Sequence, residues 1–230
     1  MNQFYTAIGR TQIKGTAKEK RCPMVSCNNK EYILDLQEMI LWSVLNWRIA
    51  TLEEAKEVYT AKEKELQFHS DRSFEKCLQR LTQRELIAEG TGATAADALY
   101  TLLSELYIIP ISENIFLRTL SFIIHLTFFS KVPFSVTKKV FCRDKRNNDE
   151  KKVIQLSRQA MLSTAEIIKC VELNKLDFST EEDLLNTLYY DDYTTSENIA
   201  YTVRSLPQCR PVITSITNLY LRKQIIFERN

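Results

Sequence analysis

Apolar side chains recur every three to four residues through much of the chain, in stretches separated by short polar segments. In the first half this spacing predicts four helices. They are expected over residues 31–47, from Leu52 onward, over residues 70–86 and from Thr94 onward. Thr51 with Glu54, and Thr94 with Asp97, have the spacing of a capping pair, and Ser70 or Asp71 is expected to cap the third helix.

The helix over residues 70–86 separates two faces of different chemistry. Its apolar stripe, typical of a helix that faces a core, consists of Phe74, Cys77, Leu78 and Leu81. The opposite side carries four cations at four-residue spacing with amides between them: Arg72, Lys76, Gln79, Arg80, Gln83 and Arg84. Cations neutralise phosphates and amides can read adenine, so this row is typical of a helix in the major groove of DNA. The alternative is a solvated face of mixed charge, because acidic residues lie nearby.

A short apolar segment, Leu86–Glu89, follows this helix, and Gly90 and Gly92 behind it permit a tight turn or the close approach of another backbone. Three helices, a strand and this turn resemble the winged helix-turn-helix domain of bacterial transcription regulators, over about residues 31–111. The resemblance implies that the third helix reads the major groove, through the cations and amides named above, and that Thr91 in the wing touches the backbone. After Gly92 the sequence is helical, so the only candidate strand that could return to complete the wing is Tyr107–Ile111.

The second half begins with a strongly apolar helix over residues 113–130, in which His125 is expected to be packed in the core. A basic segment over residues 131–152 is interpreted as a linker that could follow a phosphate backbone. The expected organisation is a basic N-terminal segment (1–30), a winged-helix domain with an added apolar helix (31–130), the linker (131–152) and a helical C-terminal domain (153–230).

The end of the chain repeats the pattern of the helix over residues 70–86. Leu219, Arg222 and Ile225 match Leu81, Arg84 and Ile87 at the same spacing, and both segments pass from a helix into a short strand. Thr214, Thr217, Asn218 and Arg222 are available on the outer side of this second helix. It could be a second helix-turn-helix that binds DNA less strongly, or a dimerisation or partner-docking module, which we favour because it lacks the row of cations.

Composition narrows the fold and the partners. Only four glycines and five prolines in 230 residues argue against a sandwich or barrel and favour a mainly α protein. The net charge of +2 gives little attraction for polyanions, so any nucleic-acid surface must come from local clustering of charge. The first 30 residues carry such a cluster, which could be a basic arm on DNA or a loosely folded, solvated leader.

The chemistry of the chain favours a binding protein over an enzyme. Six scattered cysteines and a start without an apolar signal-peptide core indicate the cytoplasm, and no apolar run is long enough to span a membrane. Cys22 and Cys27 have no second pair of ligands close by, so no metal site is expected. Phosphate-binding loops and nucleophile motifs are missing, and we expect no cofactor and no catalytic residue.

The sequence therefore predicts a DNA-binding transcriptional regulator that acts on double-stranded DNA as a homodimer. Homodimerisation is expected because helix 113–130 needs cover and because such regulators pair two half-sites. A replication, partition or conjugation accessory protein of a mobile element has nearly the same sequence chemistry. The alternative from another class is a winged-helix adaptor that binds protein and not DNA.

Overall fold

The computed structural model of the protein describes residues 1–14, 22–68, 71–111, 145–191 and 193–229. Within these ranges the chain forms seven strands and nine helices. The strands are β1 (Asn2–Ala7), β2 (Arg10–Lys14), β3 (Cys22–Cys27), β4 (Lys30–Ile33), β5 (Ile87–Gly92), β6 (Tyr107–Pro110) and β7 (Ile225–Glu228). The helices are α1 (Leu36–Leu45), α2 (Leu52–Glu65), α3 (Phe74–Gln83), α4 (Ala95–Leu103), α5 (Asn148–Gln159), α6 (Thr164–Glu172), α7 (Glu181–Leu188), α8 (Ser196–Val203) and α9 (Cys209–Leu221).

About half of the described residues are helical, and the strands form three small antiparallel sheets. The fold is therefore mixed α/β, and the expectation of a mainly α protein is wrong. The low glycine count was misleading for two reasons. Two of the sheets pair strands that are far apart in sequence and need no tight turn, and the turn between β3 and β4 uses Asn28 and Asn29 at φ 49° and 55°. Asparagine can take this left-handed conformation in place of glycine.

An N-terminal unit is built around β1. This strand pairs antiparallel with β5, from Asn2 opposite Gly92 to Ala7 opposite Ile87. On its other edge Tyr5 forms an isolated bridge with Ala50, which lies between α1 and α2. Helices α1 and α2 contact β1, and α3 contacts β5. Apart from β2, β3 and β4, which lie between β1 and α1, the order of elements in this unit is strand, helix, bridge, helix, helix, strand.

The described residues among the first 30, namely 1–14 and 22–30, belong to strands and turns of this unit and not to a loosely folded leader. Residues 5–8, at the end of β1 and directly after it, are buried. Strands β2, β3 and β4 form a second sheet in that order. Sequence periodicity did not reveal β1 because its partner, β5, lies some 85 positions later. A strand of this kind is specified by its pairing and not by its own pattern.

A C-terminal unit repeats this order of elements. Strand β6 pairs antiparallel with β7, and Tyr107 forms an isolated bridge with Ser163, which lies between α5 and α6. Helix α9 then leads into β7 as α3 leads into β5. The expectation that Tyr107–Ile111 returns to β5 as a wing strand is wrong, because β1 occupies that place. Helix α5 begins at Asn148, inside the segment interpreted as a linker, and the bridge at Ser163 separates it from α6.

The ends of α3 and α9 have the same backbone structure. Arg84 and Arg222 cap the two helices, and the next residues, Glu85 and Lys223, have φ values of 57° and 59°. The following N–H groups bond back to Leu81 O at 3.0 Å and to Leu219 O at 2.9 Å. The sequence match between these segments therefore corresponds to one local structure that occurs twice. It is a helix that ends with a residue in the left-handed αL conformation.

Gly90 and Gly92 serve close packing and not a turn. Helix α4 lies directly on β5, and a Cβ atom at Gly90 would stand 2.3 Å from the backbone nitrogen of Leu102. At Gly92 it would stand 2.3 Å from the nitrogen of Ala98. The sequence left open a tight turn or the close approach of another backbone. The structure shows that these glycines allow the close approach.

The two units share one core and are joined through buried polar contacts. The hydroxyl of Tyr220, at the end of α9, accepts the Trp47 N–H at 2.9 Å and donates to Ala7 O at 3.2 Å. Thr6 Oγ1 lies 2.9 Å from the same hydroxyl. The N–H of Gly9 also donates to Phe227 O at 2.8 Å, so β7 is bound to the N-terminal unit through its backbone.

Replacing Tyr220 by Phe is expected to lower the free energy of unfolding by about 1–3 kcal/mol, because buried groups of the N-terminal unit lose their partner. Burial raises the pKa of Tyr220 to about 12 from its usual 10.0. The folded state thus favours the neutral phenol. The stabilisation of the fold by this hydroxyl is complete below pH 10 and is lost as the pH rises towards 12. Urea unfolding measures the difference in free energy of unfolding between the native protein and Tyr220→Phe. We expect this difference to be about 1 kcal/mol smaller at about pH 11 than at about pH 8. The same difference at both pH values would contradict this role of the hydroxyl.

Several expectations concern residues outside the described ranges. They are the apolar helix over residues 113–130 with His125, and the linker up to residue 144. In the part of the chain that is described, no helix is both long and apolar enough to cross a membrane.

Candidate interaction surface on helix α3

Helix α3 forms where the sequence predicts it, with a different cap. Ser73 is the N-cap, and its hydroxyl accepts the backbone N–H of Lys76 at 3.3 Å. The apolar stripe is buried as expected and consists of Phe74, Cys77, Leu78 and Leu81. Its burial turns the opposite side of α3 outward, and this side carries the residues predicted to contact DNA.

Three of the predicted cations surround one carboxylate, that of Glu38 in the first turn of α1. The side chain of Glu38 is only 1% exposed. Arg80 Nε lies 2.6 Å from Glu38 Oε1, and Arg84 Nη1 donates to Oε2 at 2.9 Å. Arg72 Nη1 lies 3.8 Å from Oε1. An arginine that bound a phosphate with the same group would leave a buried carboxylate uncompensated, which is costly.

Asp35 completes this ion-pair cluster. It is the N-cap of α1, and its side chain pairs with Arg72. Asp35 Oδ1 accepts the Glu38 N–H at 2.9 Å, while Glu38 Oε2 accepts the Asp35 N–H at 3.2 Å, so the two form a capping box. Burial alone would raise the pKa of the Asp35 carboxyl, but the Glu38 N–H and the Arg72 guanidinium together hold the pKa below its usual value. Three arginines thus face two carboxylates, and little net positive charge is left.

Arg84 fastens the end of α3 to strand β4. Its Nη2 donates to the carbonyl of Ile33 at 3.0 Å, and its guanidinium lies 5.5 Å from the centre of the Tyr32 ring. The side chain is 25% exposed. Arg84 therefore acts mainly as a structural link between α3, α1 and β4.

The remaining predicted residues of α3 point outward. Lys76, Gln79 and Gln83 are exposed, and their side chains make no hydrogen bond or ion pair to the described residues. Arg80 keeps 56% of its side chain exposed despite its contact with Glu38. Beside them, Glu75 is held by Lys56 of α2 at 2.6 Å. Thr91, predicted for the wing, lies within β5 opposite Gln3 and not in a turn between strands.

Sequence reasoning missed the apolar part of this surface. Ile33, at the end of β4, is 64% exposed, and Leu36, the first residue of α1, is 56% exposed. Strand β4 pairs with β3 on one side, and among the described strands none pairs with its other edge. The signal that was available in the sequence is the capping box formed by Asp35 and Glu38 in DLQE, which ends the strand and starts the helix.

The C-terminal unit repeats the central ion pair in reduced form. Glu150 at the start of α5 is 1% exposed. It forms a capping box with Asn147, as Glu38 does with Asp35 in α1. Arg222 at the end of α9 donates to Glu150 Oε2 at 3.2 Å, as Arg84 does to Glu38. On the outer side of α9, Thr214 and Arg222 are exposed, whereas Thr217 and Asn218 are half-buried.

No catalytic or metal centre stands out elsewhere in the described ranges. Their His, Cys, Asp and Glu side chains form no group of three that could hold a metal ion. Four free thiols are buried, and burial raises the pKa of each, which makes them poor nucleophiles; they are Cys27, Cys77, Cys170 and Cys209. A shallow groove of 460 Å³ along α5 is lined by Arg146, Lys151, Arg158 and Asp177, among others.

The chain matches no protein-family model, no curated protein and no solved structure.

Proposed function

We propose that the protein is an interaction adaptor and that its α3 surface, defined by Ile33, Leu36, Lys76, Gln79, Arg80 and Gln83, binds a polypeptide partner. One observation carries the proposal. The arginines of α3 are largely neutralised by Glu38 and Asp35, while two large apolar side chains beside them are more than half exposed. A surface that is apolar in part, polar at its rim and has its arginines already paired with carboxylates is typical of protein–protein contacts.

The edge of β4 supplies a way to bind an extended segment. Edge strands present N–H and C=O groups that can pair with a strand from another chain. Such a segment would pair with the part of this edge that Arg84 does not occupy, with Ile33 and Leu36 offering apolar contacts. Arg80, half exposed and already oriented by Glu38, would contribute a pre-ordered guanidinium, a group enriched at protein interfaces.

The charges around α3 favour a polypeptide over DNA. The chain as a whole carries only +2. Helix α2, which is tied to α3 by Lys56 and Glu75, begins with the exposed acids Glu53, Glu54 and Glu57. Carboxylates beside a recognition helix repel the phosphates that provide most of the affinity in DNA binding.

Binding of double-stranded DNA is the second candidate. It is favoured by the exposed row of Lys76, Gln79, Arg80 and Gln83, whose donors and acceptors suit base edges. In this proposal each unit is a winged helix in which the N-terminal strand, β1 or β6, takes the place of a returning wing strand. α3 would enter the major groove as the recognition helix of a transcriptional regulator or a mobile-element protein, with Arg72 and Arg84 as structural residues and Thr91 as a backbone contact. A homodimer that reads two half-sites belongs to this candidate.

A photoreactive amino acid at position 33 tests the adaptor proposal in the organism that makes the protein. We expect a discrete covalent adduct with one polypeptide, and a weaker adduct when Leu36→Glu is added, because the charge opposes an apolar contact. The same amino acid at position 173 is the matched control, since Leu173 is 53% exposed and lies on another part of the surface. Equal adducts from both positions, or none from position 33, would contradict the proposal.

The same experiment separates the two candidates when it is combined with mobility shifts on duplex DNA. The adaptor is expected to show no shift even at low salt. DNA binding would give a salt-dependent shift that Lys76→Glu weakens and Lys64→Glu, an exposed lysine on α2, leaves unchanged. In that case sedimentation should report twice the 26.9 kDa of one chain.

Neither candidate includes a catalytic step or a cofactor. A reducing cytoplasm belongs to both proposals and is supported by the four buried free thiols of the described residues.

A further inference from the structure

An insertion distinguishes the C-terminal unit from its N-terminal counterpart. Helices α2 and α3 are joined by residues 66–73, whereas α6 and α9 are joined by residues 173–208, which carry α7 and α8. The insertion packs on α6 and buries four apolar side chains, Leu184, Leu188, Ile199 and Val203. It is thus a folded addition to a unit that the N-terminal half of the chain builds without it.

Three tyrosines of this insertion remain in solvent. Tyr190 is 73% exposed, Tyr193 86% and Tyr201 85%. The backbone of two of them is nonetheless hydrogen-bonded, because Tyr201 lies within α8 and the Tyr193 N–H has a side-chain acceptor. Asp191 Oδ1 accepts the Tyr193 N–H at 3.0 Å and the Thr194 hydroxyl at 2.9 Å.

The first residues of α8 hold the other end of this loop. Asn198 Nδ2 donates to the carbonyl of Tyr193 at 2.9 Å. Tyr201 follows Asn198 by three positions and Glu197 by four, and residues at these spacings are neighbours on a helix. The rings of Tyr193 and Tyr201 are therefore carried by hydrogen-bonded backbone, which lowers the entropy lost on binding.

The charge around these rings is mostly negative, and the nearby cations are Lys169 of α6 and Arg204, three positions after Tyr201. Residues 177–203 contain seven Asp and Glu and no Lys or Arg. The hydrogen bond from the Thr194 hydroxyl holds the pKa of the Asp191 carboxyl below its usual value, so this acid between Tyr190 and Tyr193 is ionised. Lys169 of α6 already places its ammonium 5.2 Å from the centre of the Tyr190 ring, as expected for an aromatic face that attracts cations.

We propose that Tyr190, Tyr193 and Tyr201, together with Asp191 and Glu197, form a docking surface for an arginine-rich polypeptide segment. The flat face of a guanidinium stacks on a tyrosine ring, and its N–H groups donate to a carboxylate. A tyrosine beside an acidic residue can therefore bind one arginine in both ways. An ammonium can do this less well because it is compact and strongly hydrated. Nucleic acid does not fit, because the acids repel phosphate. This surface is distinct from the α3 surface and does not depend on the function proposed for it.

Two synthetic peptides test the proposal, one of ten arginines and one of ten lysines, titrated into the full-length protein. We expect the arginine peptide to bind about 10-fold more tightly than the lysine peptide. The variant Tyr190→Ser, Tyr193→Ser, Tyr201→Ser should lose this preference and bind both peptides alike. Glu197→Gln should weaken both peptides and keep the preference, because it removes charge and leaves the rings.

Leu185→Ser is the matched control, since Leu185 is 55% exposed on α7 of the same insertion. It should leave both affinities unchanged. Thermal unfolding of each variant checks the fold, which should hold because the replaced side chains lie in solvent. Equal binding of the two peptides by the native protein would show attraction to charge alone and overturn the proposal. Retention of the arginine preference by the triple variant would overturn it as well.

Discussion

Replacing Glu38 by Gln is expected to lower the free energy of unfolding by about 2–3 kcal/mol, less than the roughly 3–5 kcal/mol of a fully buried pair because the arginines reach solvent. The change keeps the shape of the side chain, and an amide oxygen can still accept the Asp35 N–H of the capping box. It removes the negative charge that Arg72, Arg80 and Arg84 share, and its –NH2 group, in place of Oε1, can no longer accept from Arg80. Urea unfolding followed by tryptophan fluorescence measures the loss.

Two glutamates at the same helix position serve as matched controls. Glu54 occupies the third position of α2 in a capping box, but it is exposed and has no arginine partner among the described residues. Glu54→Gln is therefore expected to cost no more than about 0.5 kcal/mol. Glu150, which is buried against the single Arg222, should give an intermediate loss. If all three variants lost the same stability, the capping box and not the ion pairs would be responsible.

Glu38→Gln also reports on function. If α3 bound DNA, freeing three arginines from their carboxylate would raise its affinity for duplex and steepen the salt dependence. If the α3 surface binds a polypeptide, DNA affinity stays absent in the variant, and the photocrosslink from position 33 should weaken because Arg80 is no longer oriented.

Replacing Gly90 or Gly92 by Ala is expected to cost about 3 kcal/mol each, at the upper end of the range for overpacking. Each added methyl group would stand 2.3 Å from a backbone nitrogen of α4, which cannot yield as a flexible side chain can. Helix α4 would have to move off β5 and disturb the core that both units share. The free energy of unfolding from urea titration measures this loss.

Glu89→Ala is the control for the glycine variants. Glu89 lies in the same strand with its side chain exposed, so removing that side chain should change stability by about 0.5 kcal/mol or less. The glycine explanation fails if Gly90→Ala and Glu89→Ala have equal effects.

Local elements of the fold were predictable where a few neighbouring residues specify them. Thr51 and Thr94 cap α2 and α4 as their sequences indicate. The match between Leu81–Ile87 and Leu219–Ile225 predicted two helix-to-strand passages of one kind, and their hydrogen bonds agree. Such features depend on contacts three to five residues apart, which the linear sequence contains.

The candidate surface was only partly predictable. The outward side of α3 followed from its apolar stripe, so the exposure of Lys76, Gln79 and Gln83 could be expected. The fate of Arg72, Arg80 and Arg84 could not, because their partner Glu38 belongs to a helix some 40 residues earlier. A row of cations in a sequence therefore states which charges are present and not which of them are already neutralised.

By itself, the sequence determined the positions of α2, α3 and α4, the caps of α2 and α4, the side of α3 that faces solvent and the repeated helix end at Arg84 and Arg222. Only the tertiary structure decided that β1 forms a sheet with β5, that Glu38 contacts three arginines and that Ile33 lies beside them at a strand edge with which no described strand pairs. The physical reason is the range of the interactions. Helix periodicity and capping act within one turn of the chain, whereas strand pairing and buried ion pairs join residues that only folding brings together.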